Sequence, residues 1–197
     1  MGLGKTIQTL VHLCVEKQQG HLQRPALIVV PTSLLHNWKN EAKQFAPSLS
    51  CQLIYGPNRK NLFDRITKFD VLITSYNLIL RDQAFWKNQN LSHLVLDEAH
   101  YIKNHQSQVT KAVKSLHADY RLALSGTPLE NHLSELWSLF DFVMPGYLGG
   151  EAEFKREYRT PIEKYADEYR QASLLSRIRP FMPVSYTHLT LPTTSRV

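Results

Sequence analysis

The sequence has 197 residues, of which 43% are hydrophobic and 20% charged, a composition typical of globular proteins and unlike that of fibrous or disordered ones. Its formal net charge of +6 permits a polyanionic partner without requiring one. The two cysteines lack the spacing of a disulfide framework or a zinc site, and no apolar run approaches the roughly 20 residues that cross a bilayer. We therefore expect an intracellular protein without a membrane partner, cytoplasmic if bacterial and nuclear if eukaryotic.

Short apolar runs predict five strands, separated by amphipathic stretches that predict helices. Proline, glycine or polar residues bound these runs, as is typical of strands buried on both faces of a parallel sheet. The runs are residues 26–30, 52–55, 71–74, 94–96 and 121–124. Stretches 6–17, 34–45 and 106–116 have helical periodicity. We predict an α/β fold, a parallel sheet with helices on both faces, whose ligands bind at the carboxyl ends of the strands.

The pattern becomes helical from Leu133 onward. Apolar residues recur there at helical spacing, and the charge-rich stretch 151–179 is also predicted to be mostly helical. We divide the chain into a lobe of residues 1–150 and a helical extension of residues 151–182. A tail of residues 183–197 follows neither period and resembles a translated adapter sequence, so we predict that it is non-native; the alternative is a natural polar tail.

The N-terminal residues contain the second half of a phosphate-binding loop, GxxxxGK[ST]. Glycine lets backbone N–H groups approach phosphates, and a helix beginning there adds its positive end. Lys5 would then reach the β- and γ-phosphates of a nucleotide, and the Thr6 hydroxyl would bind Mg²⁺. The alternative is a chance GLGKT at a loop-to-helix junction. Because the loop's first residue would precede Met1, we interpret Met1 as internal. The predicted nucleotide-binding residues are Gly2, Leu3, Gly4, Lys5 and Thr6.

A second polar motif, Asp97-Glu98-Ala99-His100, directly follows the apolar run of residues 94–96. An Asp at the end of a buried strand can hold Mg²⁺, and the neighbouring Glu can deprotonate an attacking water. A solvated turn would also explain this pair in isolation, but its occurrence in one chain with GKT favours a site that hydrolyses a nucleoside triphosphate. We predict that Glu98, Asp97 and Lys5 are catalytic, and that Thr6 and Asp97 are the Mg²⁺ ligands.

Small hydroxyl residues follow the last predicted strand, in the segment Ser125-Gly126-Thr127-Pro128. Hydroxyl groups on such a turn can relay a change at the γ-phosphate through hydrogen bonds. A plain turn explains the same composition equally well.

In this order, the motifs resemble the Swi/Snf-type helicase-like ATPases of superfamily II. The resemblance covers residues 1–182 through the segments MGLGKTIQT, VVPTSLLHNWKNE, LITSYNLI, LDEAHYIKN and SGTPLENHLSELWSLFDFVMPGYLG. It implies the first RecA-like lobe of a P-loop NTPase that uses ATP and Mg²⁺ to move along double-stranded DNA. It also implies that His100, Ser125, Gly126 and Thr127 couple ATP to DNA.

The same resemblance implies DNA-backbone contacts in two short segments that follow predicted strands. Hydroxyls and backbone N–H groups at loop starts suit such contacts, which position a duplex without reading its bases. A helix cap or a turn would explain the same residues equally well. We expect Trp38 and Trp137 to lie in the core rather than stack on bases, and we assign no metal to His36, His93 or His132. The predicted contacts are Pro31, Thr32, Ser33, Thr74 and Ser75.

The family's second RecA-like lobe, with the arginines that reach the γ-phosphate, has no counterpart after Met182. We therefore expect the parent protein to be an ATPase and this chain alone to be inactive. One alternative is the lobe of a DEAH-type RNA-unwinding helicase, although the extension after SGTP favours the DNA-translocating family. The other is an interaction module without enzymatic activity, which has no positive support in the sequence. The oligomeric state stays open.

Overall fold

A computed structural model of the protein describes residues 3–126 and 133–182. The chain divides into two compact units, Met1–Gly126 and Thr127–Val197. The predictions for Gly2, for Thr127 and for the tail after Met182 lie outside the described residues. Within the described ranges, no helix is both long and apolar enough to cross a membrane.

A parallel five-stranded sheet in the order β2-β3-β1-β4-β5 forms the centre of the first unit. All residues of β1 and β3 and all but the first of β4 are buried, which explains why these strands are nearly continuous apolar runs. The predicted parallel sheet is confirmed. The strands are β1 (Ala26–Val30), β2 (Cys51–Leu53), β3 (Val71–Ser75), β4 (Asn90–Leu96) and β5 (His117–Ala123).

In the described part of the first unit, one α-helix precedes the sheet, and four further α-helices and three 3₁₀ segments connect its strands. On one face of the sheet, Leu10 of α1 and Trp38 of α2 pack in a cluster that includes Ile28 of β1. Leu27 and Val29, which alternate with Ile28, are also fully buried, so the sheet is covered on both faces. The helices are α1 (Leu3–Gln18), α2 (Leu35–Phe45), α3 (Tyr76–Arg81), α4 (Gln83–Trp86) and α5 (Gln108–Lys114), and the 3₁₀ segments are Thr32–Leu34, Pro57–Lys68 and Ala99–Ile102.

The second unit is helical in its described part, as predicted. Its cluster of buried residues runs from Leu133 to Ile178 and includes Trp137, which is 8% exposed. Helix α6 (Leu133–Val143) contributes to this cluster. The boundary between the two compact units therefore lies at Gly126, whereas the predicted lobe extended to residue 150. Its elements are α6 (Leu133–Val143), α7 (Glu151–Phe154), a π-helical turn (Lys155–Arg159), α8 (Thr160–Tyr165), α9 (Glu168–Ile178) and the 3₁₀ segment Arg179–Phe181.

Candidate functional site

The turn after β4 holds two adjacent carboxylates at the carboxyl edge of the sheet. The Asp97 N–H donates to the Val29 carbonyl over 2.9 Å, which extends the pairing with β1 by one residue. Glu98 then adopts a left-handed conformation with φ 49° and ψ 54°. Its own N–H donates to Oδ1 of Asp97 over 2.9 Å. Such a backbone conformation costs about 1 kcal/mol or more for a residue with a side chain, and such strain clusters at functional sites.

Two aromatic side chains hold Asp97 in place. Nε1 of Trp38 donates to Oδ2 of Asp97 over 2.8 Å, and the carboxylate is buried, with Asp97 only 7% exposed. The Tyr76 hydroxyl donates to the Asp97 carbonyl oxygen over 2.7 Å. Burial, followed by the nearby charges of Asp97 and Glu98, raises the pKa of Tyr76, so its phenol stays protonated and continues to donate. The carboxylate therefore has a fixed orientation.

The ammonium group of Lys5 and the carboxylate of Glu98 converge on Gly126. A Cβ atom at Gly126 would lie 3.0 Å from Nζ of Lys5 and 3.8 Å from Oε1 of Glu98. Leu124 holds this loop against the turn, since its N–H donates to the Leu96 carbonyl and its carbonyl accepts from the Ala99 N–H. The structure thus brings together Lys5 and Glu98, which were predicted to be catalytic, and Gly126, which was predicted to couple ATP to DNA. Glycine at position 126 leaves room for both charged groups.

The N-terminal end of α1 carries Lys5 and Thr6. The described first turn of this helix contains no acidic residue, so its positive end is not neutralised from within the helix. Thr6 is 7% exposed, and a Cβ atom at Gly4 would meet no described atom within 4 Å other than its chain neighbours and the backbone of its own helix. The protein's own packing therefore does not require glycine at position 4. Open space beside backbone N–H groups at a helix start is the environment that a phosphate needs.

These residues fit the Mg²⁺–nucleotide that the sequence motifs imply. Lys5 supplies a cation for phosphate oxygens, and the end of α1 supplies backbone donors. Asp97 and Thr6 offer oxygen atoms, the ligands that Mg²⁺ prefers. No described residue in the first turn of α1 places a competing negative charge there.

His100, which was predicted to couple ATP to DNA, lies beside Glu98. Its Nδ1 atom is 3.3 Å from Oε2 of Glu98, and its side chain is 45% exposed. Ser125 is half-buried in the loop that leads to Gly126. The roles of His100, Ser125 and Gly126 in coupling stay predictions.

The residues predicted to contact DNA separate into two groups. Thr32 and Ser33 are exposed, and with Pro31 they line a cavity of about 210 Å³ whose other walls come from Tyr76, Asn77 and Tyr101. In contrast, Thr74 is fully buried and its hydroxyl donates to the Ile54 carbonyl over 2.9 Å, while Ser75 is 2% exposed. Because the hydroxyl of Thr74 already has a partner inside the sheet, the structure contradicts the expectation that this side chain faces DNA. The burial of Ser75 argues against a side-chain contact there as well.

Sequence reasoning missed the positioning roles of Trp38 and Tyr76. Trp38 was predicted to be a core residue, which its 1% exposure confirms, but its N–H also holds Asp97. The available signal was chemical, because a buried tryptophan N–H or tyrosine O–H usually has a polar partner. Which partner that is cannot be predicted from the sequence, because the partner lies far away along the chain.

Comparison with known proteins gives a consistent family assignment. The model of the SNF2-related domain matches residues 1–188. YwqA of Bacillus subtilis is 44% identical over 185 residues, which cover 92% of this chain and 20% of YwqA. The TATA-binding protein-associated factor MOT1 of Saccharomyces cerevisiae is 38% identical, over 92% of this chain and 11% of MOT1.

A solved structure agrees with this assignment. The SWI2/SNF2 ATPase core of Sulfolobus solfataricus in complex with double-stranded DNA matches with a TM-score of 0.85 and 39% identity, over 93% of this chain and 38% of that one. The chain therefore spans a fifth or less of these two curated relatives.

Proposed function

The chain belongs to the SNF2-related domain family, and from this premise we propose that it is the nucleotide-binding lobe of an enzyme that couples ATP hydrolysis to movement on double-stranded DNA. A similar protein of Mycoplasma pneumoniae is named as an ATP-dependent helicase. The observation that carries the proposal is the convergence of Lys5 and Glu98 on Gly126, beside the fixed carboxylate of Asp97. A lysine for the phosphates, an aspartate that can hold Mg²⁺ and a glutamate that can accept a proton from water are together sufficient in type for hydrolysing a phosphoanhydride.

Each residue of the site has a distinct role in this proposal. Lys5 and the start of α1 bind the phosphates, and Thr6 and Asp97 hold Mg²⁺, which neutralises negative charge on the phosphate oxygens. Glu98 orients a water molecule and accepts its proton. The hydrogen bond that the Glu98 N–H donates to the Asp97 carboxylate makes the two roles interdependent, since it fixes that carboxylate relative to the backbone of Glu98.

Double-stranded DNA is the proposed partner. The similar Sulfolobus core was solved with double-stranded DNA, and the net charge of +6 on this chain is compatible with a polyanionic partner. We place the DNA backbone at the cavity beside Thr32 and Ser33, where exposed hydroxyls follow β1. An enzyme with this partner would work in the compartment that holds DNA.

A second RecA-like lobe completes the proposed enzyme. Because the chain spans 20% of YwqA, we propose that the other lobe supplies the arginines that stabilise the transferred phosphoryl group, worth about 10³–10⁵ in turnover in related enzymes. The chain alone would then bind nucleotide but hydrolyse it poorly. The family assignment favours this function over the alternative of a DEAH-type RNA-unwinding helicase.

The test is ATP hydrolysis by the full-length protein, with and without double-stranded DNA. We expect DNA to stimulate hydrolysis and Glu98→Gln to reduce it by about 10²–10⁴, the usual contribution of a general base, while nucleotide binding is retained. Glu157→Gln, at a half-buried glutamate of the second unit that belongs to none of the predicted site residues, serves as the matched control and should hydrolyse ATP normally. Wild-type turnover by Glu98→Gln would refute the assignment of the base. Unwinding of RNA duplexes together with stimulation by RNA alone would favour the alternative function.

A further inference from the structure

A pair of stacked tyrosines connects the catalytic turn to the cavity beside Thr32. The rings of Tyr76 and Tyr101 lie 4.8 Å apart between centroids at an interplanar angle of 7°. Tyr76 is 2% exposed, whereas Tyr101 is 47% exposed. The pair therefore has one member in the protein interior and one at the surface.

The buried member holds the backbone of the catalytic turn. The Tyr76 hydroxyl donates over 2.7 Å to the Asp97 carbonyl, which belongs to the peptide group that joins Asp97 to Glu98. The next residue, Glu98, has the left-handed conformation. The orientation of that peptide group determines the direction in which the Glu98 side chain leaves the backbone. The hydrogen bond from Tyr76 therefore helps to position the Glu98 side chain.

The exposed member, Tyr101, is connected to the Glu98 side chain through His100. The ring of Tyr101 lies 4.9 Å from that of His100, and Nδ1 of His100 lies 3.3 Å from Oε2 of Glu98. A shift of Tyr101 would thus affect both the ring of Tyr76 and the neighbour of the Glu98 carboxylate. The stacked tyrosines therefore contact both the peptide group that precedes Glu98, through Tyr76, and the neighbour of its carboxylate, through Tyr101.

The same two tyrosines form part of the cavity wall. This cavity has a volume of about 210 Å³ and is bounded on its other side by Pro31, Thr32 and Ser33. A ligand in the cavity would contact the surface of Tyr101 and restrict its movement against Tyr76. The stack therefore forms a continuous chain of contacts between the cavity and the peptide group that precedes Glu98.

We propose that Tyr76 and Tyr101 are positioning residues, through which an occupant of this cavity and a nucleotide at Lys5 affect each other's binding. This inference rests on the proposed function, since it takes the DNA backbone as the occupant. Neither tyrosine touches the reacting atoms. They act by fixing the peptide group and the carboxylate of Glu98.

The experiment measures coupling between the two ligands by equilibrium binding. A short fluorescent DNA duplex is titrated with the full-length protein, once with and once without a non-hydrolysable ATP analogue and Mg²⁺. The ratio of the two dissociation constants for DNA measures the coupling. Coupled sites typically change each other's affinity by fivefold or more, so we expect a ratio of about fivefold in the wild-type protein. Tyr76→Phe, which keeps the ring and loses the hydroxyl, should bring the ratio close to one while the protein still binds each ligand.

Two variants of Tyr101 test the stack separately from the hydrogen bond. Tyr101→Phe keeps the ring and should retain the wild-type ratio, whereas Tyr101→Ala should lose it. Tyr120→Phe, on β5, is the matched control and should behave as the wild type. Because Tyr101 is half exposed, Tyr101→Ala still decides the matter if Tyr76→Phe fails to fold.

The outcomes separate this inference from the proposed function. If the wild-type protein binds neither the nucleotide analogue nor DNA, the proposed function is wrong and the inference falls with it. If both bind and the ratio is one in the wild type, or if Tyr76→Phe and Tyr101→Ala keep the wild-type ratio, the proposed function stands and the inference is wrong.

Discussion

The indole N–H of Trp38 donates to Oδ2 of Asp97 over 2.8 Å, in a buried contact between α2 and the turn that follows β4. Trp38 and Asp97 are 59 positions apart in the sequence. An aromatic residue at a helix position typical of core packing thus orients the carboxylate that is expected to bind Mg²⁺. Partners that orient a metal ligand in this way typically contribute 10- to 100-fold to metal affinity.

Trp38→Phe should therefore weaken Mg²⁺-dependent binding of a fluorescent ATP analogue by about tenfold. Binding measured without Mg²⁺ should change less, because the lost hydrogen bond acts on the metal ligand. Trp86→Phe is the matched control, since Trp86 is equally buried and its Nε1 has no hydrogen-bond partner among the described residues. Equal effects of both substitutions would show that Trp38 matters only for packing.

Gly126→Ala should disturb the site by adding an atom between its charged groups. The new Cβ would lie 3.0 Å from Nζ of Lys5, closer than most such contacts, so the flexible end of Lys5 would move away. A hydrogen bond to a charged group contributes about 1.5–3 kcal/mol, so we expect nucleotide binding about tenfold weaker, measured by fluorescence titration. Gly150→Ala, where a Cβ meets nothing within 4 Å, should bind as the wild type does. Unchanged affinity of Gly126→Ala would argue against phosphate binding by Lys5.

Asp82→Ala should destabilise the first unit strongly. Asp82 accepts two hydrogen bonds from Arg59, at 2.6 and 2.9 Å, and the two side chains are 3% and 9% exposed. Removing one member of a buried pair leaves the other charge without compensation, which costs about 3–5 kcal/mol of unfolding free energy. Asp119→Ala breaks the exposed pair with Arg24 and should cost less than about 1 kcal/mol. Urea unfolding measures the loss of unfolding free energy in both variants. Similar losses in Asp82→Ala and Asp119→Ala would contradict the expectation that the buried pair stabilises the fold more than the exposed pair.

His93 should make the stability of the first unit depend on pH. Burial, followed by the charge of nearby His12, lowers the pKa of His93 below its ordinary value of 6.5, although Glu16 and Asp119 oppose this shift. The unfolded chain then binds more protons than the folded one as the pH falls below 6.5, so the unfolding free energy decreases on acidification.

His93→Phe keeps a ring that can stack on Tyr120, 4.9 Å away, and should remove part of this loss between neutral pH and about pH 5.5. His36→Phe, at an exposed histidine that contacts Tyr55, is the control. Urea unfolding at several pH values measures the effect, and an identical pH dependence in His93→Phe and the wild type would refute the role of His93.

The sequence predicted most reliably the elements whose signal is local. Strands β1 and β3 are fully buried, so each is a run of apolar residues with clear ends. Strand β5 was predicted to begin at residue 121 but begins at His117, because exposed residues such as Tyr120 interrupt its apolar pattern. The 3₁₀ segment Pro57–Lys68 was not predicted, since long-range contacts such as that between Arg59 and Asp82 hold it.

The same distinction applies to the candidate site. Lys5, Asp97 and Glu98 lie in short motifs with a chemical rationale, so the sequence identified them. Tyr76 depends on a hydrogen bond across 21 residues, which leaves no local pattern. A hydroxyl residue after a strand is equally compatible with an exposed contact and an internal hydrogen bond, and for Thr74 the structure shows the internal bond.

The most direct test of the nucleotide site is equilibrium binding of a fluorescent ATP analogue with Mg²⁺ to Lys5→Ala. We expect saturable binding in the wild-type protein and in Lys111→Ala, which removes an exposed lysine of α5. We expect Lys5→Ala to bind at least about tenfold more weakly, because it loses a charge-assisted hydrogen bond to phosphate. Equal affinity of Lys5→Ala and the wild type would contradict the site described above.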